Sequence, residues 1–178
     1  MQKRIWIVGV ILLGISRLAL AAPINIVAAE NFYGELAQEI GGKEVKVQSI
    51  ISNPDADPHL FTTSPSTSKA LAQAQIIIYN GADYDSWIGQ MLATVDKSKV
   101  TIINVADLVG VKSGANPHLW YKPETFPKLA QVLADKLIQL EPQNKAQIQA
   151  NLKQFITEHN QVNQAIQQTK TKYAGTPV

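Results

Sequence analysis

Ile76-Ile77-Ile78-Tyr79-Asn80-Gly81 is the stretch on which the fold turns. Four apolar residues in succession, ended by a turn pair, read as a short strand buried on both faces. Such a strand belongs in the middle of a parallel sheet covered by helices. Upstream, Ile24-Asn25-Ile26-Val27-Ala28-Ala29 reads as a first strand. Val45-Lys46-Val47-Gln48-Ser49-Ile50-Ile51, alternating and then wholly apolar, reads as a second. Downstream, residues 100–105 read as a fourth. Helical signals fall between them. Asn31 can cap a helix carrying Leu36, Ala37 and Ile40, stopped by Gly41-Gly42. Ser64-Pro65 pairs a cap with proline at the first helical position, ahead of Ala70, Leu71 and Ala74. A further helix is expected near 87–95. Strands alternating with helices imply a parallel sheet with right-handed crossovers, and ligands of such sheets sit beyond the carboxyl ends of the strands.

The last third changes character. Phe126, Leu129, Ala130, Leu133, Leu137 and Leu140 form one helical stripe, and Glu141-Pro142 breaks it. Ile148, Leu152, Phe155, His159, Val162, Ile166, Thr169 and Tyr173 then repeat at alternating spacings of four and three. They predict one helix over 143–173, about 45 Å long at 1.5 Å per residue.

Two loops carry the chemistry. Asn53-Pro54-Asp55-Ala56-Asp57-Pro58-His59-Leu60-Phe61 follows the second strand, and Asn116-Pro117-His118-Leu119-Trp120 follows the fourth. Each reads Pro-His-Leu-aromatic. Proline fixes its own φ and holds the residue before it extended, while the Leu-aromatic pair can anchor the loop. The imidazole is thus presented from a stiff support. Both loops lie at the same sheet edge, so His59 and His118 form one candidate metal site. Asp55 and Asp57 are read as turn formers that could also accept a hydrogen bond from an imidazole. Glu30 is either such an acceptor or an acidic residue favoured at a helix start. His159, Trp87 and Trp120 are read as packing residues.

The first 21 residues stand apart. Lys3-Arg4, an apolar run over 5–15 and Ala19-Leu20-Ala21 have the pattern of a secretory signal cut after Ala21, and the run is too short to span a membrane as a mature helix. Of sixteen basic residues, the signal removes Lys3, Arg4 and Arg17; thirteen remain against fourteen acidic ones, a net charge of −1. No basic patch remains to argue for nucleic acid. The absence of cysteine excludes disulfides, thiolate metal sites and an acylated cysteine at the cleavage site. The expectation is a free, monomeric periplasmic protein.

The ordered set Asp57-Pro58-His59, Ser64-Pro65-Ser66, Ile78-Tyr79-Asn80-Gly81 and Asn116-Pro117-His118-Leu119-Trp120 resembles the metal-binding family of periplasmic substrate-binding proteins that serve zinc and manganese ABC transporters. The resemblance covers the whole segment after the signal. It implies two (β/α) lobes joined by a long helix, with Zn2+ or Mn2+ held between them and passed to a membrane permease with its cytoplasmic ATPase. His59 and His118 are then the ligands of the first lobe. The expected organisation is a signal peptide at 1–21, an N-terminal four-stranded parallel β/α lobe at 22–123 and helices including the interlobe helix at 124–175, the second lobe being absent and the chain truncated.

Two positions depart from the family's usual pattern. Asn116 stands where aspartate is common, and Lys122 where another acidic residue is. Losing a carboxylate that orients a ligating histidine is expected to weaken the site. The His-rich loop of many zinc binders is also missing, since 107–115 contains no histidine. Two other functions are weighed: a binding protein for an organic or chelated ligand on a similar frame, and a metal-dependent hydrolase. No H-E-x-x-H, G-x-S-x-G or paired acid–base motif supports the latter, and no enzymatic activity is expected.

Overall fold

The structure is a computed structural model that describes residues 22–53 and 55–176. The expected signal segment lies outside the described residues. Four parallel strands, β1 (Ile24–Glu30), β2 (Val45–Ile51), β3 (Ile76–Tyr79) and β4 (Thr101–Asn104), lie in the order β2-β1-β3-β4. Helices α1 (Asn31–Gly41), α2 (Pro65–Gln73), α3 (Ser86–Leu92) and α4 (Val105–Leu108) follow them. The chain ends in α5 (Thr125–Leu140) and the long α6 (Lys145–Lys172).

Alternation along the two central strands divides the core. Ile24, Ile26 and Ala28 of β1, with Ile76 and Ile78 of β3, face α1 and α5. Val27 and Ala29 of β1, with Ile77 of β3, face α2 and α3. A central strand with helices on both sides needs apolar residues at every position, which is why β3 has no polar residue before Asn80. Leu129, Leu133 and Leu137 of α5 are fully buried in the first cluster, so this helix completes the lobe's own core.

Local signals explain most boundaries. Ser64 and Thr67 form a reciprocal capping box at the start of α2, with Pro65 at the first helical position. Gly42 (φ +57°) ends α1 in a conformation that favours glycine. Three expectations shift. The fourth strand stops at Asn104, whose side-chain oxygen accepts from the backbone N–H groups of Ala106 and Asp107 and starts α4, so Val105 is helical. Asn31 is the first residue of α1 rather than its cap; Glu30 holds the cap position without a side-chain bond. The third helix is shorter than expected, ending at Leu92.

α6 is about 42 Å long at 1.5 Å per residue. Its first turns pack on the lobe through buried Ile148, and the Asn151 side chain donates to the Ile40 carbonyl. Beyond His159 its apolar residues Val162 and Ile166, and Tyr173 just past its end, are exposed. Among the described residues no helix is long and apolar enough to cross a membrane.

Candidate metal centre

Both histidines sit at the carboxyl edge of the sheet, exposed to solvent. The ring of Tyr84, from the loop after β3, lies against both: its centroid is 5.1 Å from that of His59 and 5.9 Å from that of His118, edge-on in each case. Fifty-eight residues of chain lie between the histidines, and the parallel topology returns them to one tyrosine. Among the described residues no third His, Asp or Glu completes a metal-sized cluster with them.

The two loops use one device. Pro58 opens a short 3-10 turn, Pro58–Leu60, and the Asp57 side chain accepts from the His59 backbone N–H at 2.9 Å. In the second loop Asn116 accepts from the His118 backbone N–H at 3.0 Å. An Asx residue two positions before each histidine thus closes the turn that aims it. Asn116 does more: its Oδ1 lies 2.8 Å from His118 Nδ1. An amide oxygen can only accept, so Nδ1 carries the proton and Nε2 keeps its lone pair for a metal. The substitution expected to weaken orientation therefore retains the acceptor and loses only its charge. Lys122 is exposed, just past the 3-10 turn Leu119–Tyr121.

Trp120 packs directly on the site, 5.2 Å from the His118 ring and 5.0 Å from Tyr84, with Phe32 of α1 behind it at 4.9 Å. Trp87 packs against Phe61 with ring centroids 4.7 Å apart, tilted at 49°, and so supports the first loop. His159 is remote in role: it reaches the Pro123 carbonyl at 2.8 Å and stacks on Phe155, tying α6 to the start of α5.

Beneath the rings is a buried polar layer. Asn80 is fully buried; its Oδ1 accepts from the Tyr33 hydroxyl (2.7 Å), and its Nδ2 donates to the carbonyls of Gly81 and Pro117 (both 2.9 Å). It therefore straps the residue before His118 to the end of β3. Asp85, also buried, accepts from the backbone N–H groups of Asn80 (2.7 Å) and Gly81 (2.9 Å). Gly81 has φ +74°, and a Cβ there would collide with the Asn104 side chain. Asp83, itself at positive φ, accepts from Ser113 Oγ and from the Gly114 N–H (2.8 Å), clamping the second His loop from outside. Those two donors hold the Asp83 carboxyl below its ordinary range. Glu30 stands at the start of α1, as one reading expected, but it does not accept from an imidazole: it is buried, and neither carboxyl oxygen has a hydrogen-bond partner from another residue. Burial, and then the neighbouring carboxyl groups of Glu30, Asp57 and Asp85, raise the Tyr84 hydroxyl, so it stays protonated. A cavity of about 490 Å³ opens between the loops after β3 and β4, lined by Asp83, Asp107 and Lys112 among others; neither histidine lines it.

Sequence reasoning missed Tyr84, Asn80 and Asp85. The available signal was a polar residue directly after an all-apolar strand; Asn80 entered only as half of a turn and as part of the Ile78-Tyr79-Asn80-Gly81 motif.

The family model for ZnuA, zinc-uptake complex component A, periplasmic, matches residues 26–178. The manganese ABC transporter substrate-binding lipoprotein scaA of Streptococcus gordonii is 26% identical over 149 residues, 76% of this chain and 48% of that protein. The chain thus spans about half the length of this relative. Among solved structures, the metal-dependent lipoprotein YcdH of Bacillus subtilis superposes with a TM-score of 0.74 at 18% identity, covering 84% of this chain and 56% of that one. Zn(II)-bound AdcA of Streptococcus pneumoniae does so with a TM-score of 0.68 at 22% identity, covering 81% and 32%. At these identities the structures support the fold, a four-stranded parallel β/α lobe followed by a long helix. With the family model spanning nearly all of the described residues, the chain belongs to the ZnuA family of periplasmic zinc-uptake components.

Proposed function

We propose that this chain supplies the first-lobe half of a metal-capture site in a periplasmic ABC-type uptake system. Zn2+ or Mn2+ is the cargo, His59 and His118 are the ligands, and a membrane permease with its ATPase is the recipient. The lobe is taken as one of two, linked by α6, and the metal is carried rather than used for chemistry. The observation that carries the proposal is the pair of exposed imidazoles against Tyr84, one with its Nδ1 proton already fixed by Asn116. Nitrogen donors suit zinc and are accepted by manganese. Two imidazoles leave a four-coordinate ion incomplete, so the remaining positions are filled by water or by ligands outside this lobe.

Titration of the chain with Zn2+ and with Mn2+, followed calorimetrically, tests it. His59→Ala and His118→Ala are each expected to weaken binding at least about tenfold, some 1.4 kcal/mol. Affinity should also fall on acidification, because only the neutral imidazole binds. Unchanged affinity in both variants would end the metal assignment and favour an organic or chelated ligand.

A further inference from the structure

Glu30 is the most poorly accommodated polar group among the described residues. It ends β1 with 2% of its surface exposed, and no donor from another residue reaches either carboxyl oxygen. Asp85, 1% exposed, lies within hydrogen-bonding reach of it. Two ionised carboxylates cannot share a dry site, because each would be desolvated beside a like charge. One proton between them removes the conflict. Its location follows from the donors: Asp85 already receives two backbone N–H bonds from Asn80 and Gly81 that stabilise its charge, whereas Glu30 has only its own backbone N–H nearby. The proton belongs on Glu30, whose O–H can then donate to Asp85. Burial first, and the neighbouring Asp85 second, push the Glu30 carboxyl well above its usual range, in agreement with this placement.

Asp85 is also the anchor of the strap described above. It fixes the backbone of Asn80 and Gly81, and Asn80 holds the Pro117 carbonyl next to His118. We propose that Glu30 is a proton-bearing acid that donates to Asp85 and serves as a positioning residue for His118 through the Asp85–Asn80–Pro117 strap. The inference rests on reading His118 as a metal ligand. The titratable groups facing Glu30 are Asp85, from the loop after β3, Tyr33 of α1 and Tyr84; beyond the Tyr84 ring lie His59 and His118. Both tyrosines are held neutral, so Asp85 is the charge that Glu30 meets.

Glu30→Gln and Glu30→Ala separate a proton donor from a space-filler. Glutamine supplies an N–H to Asp85 at any pH; alanine supplies nothing. With Zn2+ as probe at pH 7, E30Q should bind within about threefold of the unsubstituted chain, whereas E30A should bind about tenfold or more weakly, as expected when an orienting partner is lost. Metal-free thermal unfolding is the second readout. A carboxyl raised in the folded state contributes its full stability below the unfolded value near 4.3 and loses it as pH rises through the folded value. The Tm of E30Q should therefore match the unsubstituted chain at pH 5 and exceed it by about 5 °C at pH 8. Equal weakening of Zn2+ binding by E30Q and E30A, or a Tm gap that does not grow with pH, would overturn the proposal. If E30A fails to fold, E30Q alone still decides through its Zn2+ affinity and Tm gap. If His59→Ala and His118→Ala leave Zn2+ binding intact, the metal reading fails and the positioning role with it. The metal-free Tm gap still decides whether Glu30 holds the proton.

Discussion

The two histidine loops share the pattern Asx-Pro-His, yet they are held very differently. His118 is fastened on several sides. Asn116 bonds both its backbone and its ring, Asn80 grips the carbonyl before it, and Trp120 and Tyr84 pack against its ring in T-shaped contacts. Leu119 behind it is fully buried, with its carbonyl accepting from buried Thr125. His59, among the described residues, has a bond to its backbone N–H from Asp57 and the edge of Tyr84 against its ring. The next residue, Leu60, is 78% exposed. The contrast teaches that one ligand is preset and the other compliant. A first imidazole fixed in tautomer and direction lowers the ordering cost of the initial contact with an ion. The second can then adjust to the ion's geometry.

Asn80 offers the largest test of that contrast. Asn80→Ala strands the buried Tyr33 hydroxyl and the Pro117 carbonyl and leaves a void beneath the site. The expected cost is about 2–4 kcal/mol of stability by thermal or urea unfolding. Zn2+ affinity should fall about 10- to 100-fold. If the folded variant binds Zn2+ as tightly as the unsubstituted chain, the strap does not set His118.

Asn116 comes next. Asn116→Ala leaves the Nδ1 proton without an acceptor, so the ring no longer favours the tautomer that frees Nε2. Zn2+ affinity should drop about tenfold, with stability changed by less than about 1 kcal/mol because the residue is exposed. Asn116→Asp keeps the acceptor and adds charge, and should bind at least as tightly as the unsubstituted chain. Unchanged Zn2+ affinity in N116A would mean that the ring bond has no part in metal binding.

What could be read from the chain follows the range of the forces involved. Strand β3 was legible because burial on both faces demands apolar residues at every position, and the loops because Pro-His-Leu-aromatic occurs twice. The expected edge site depended only on parallel topology. By contrast, Val105 looks like a continuing strand, as any β-branched residue does; its helical state is imposed by the Asn104 side chain capping Ala106 and Asp107. Asn80 and Tyr33, 47 residues apart, gain meaning only once the fold joins them. Glu30 offered two local explanations; it does stand at the start of α1, but its burial beside Asp85, brought alongside from the loop after β3, was in neither of them. Polar residues that are buried take their role from distant partners, and periodicity carries no record of those.

Asp57 supplies the smallest and most discriminating effect. Its side chain accepts from the His59 N–H and caps the 3-10 turn, but no bond to the ring accompanies it. Asp57→Ala removes that cap at an expected cost of about 0.5–1 kcal/mol in stability. Two restraints survive the substitution: Pro58 still fixes its own φ, and the Leu60 N–H still reaches the carbonyl of residue 57 through the backbone alone. The imidazole direction, set by Tyr84 and by whatever ion arrives, should hardly change, so Zn2+ affinity should fall by about threefold or less, below the loss in N116A. Paired titrations of D57A and N116A under one set of conditions measure the asymmetry directly. Equal losses would mean that His59 is as firmly preset as His118, and that capture begins at both rings together rather than at the second loop.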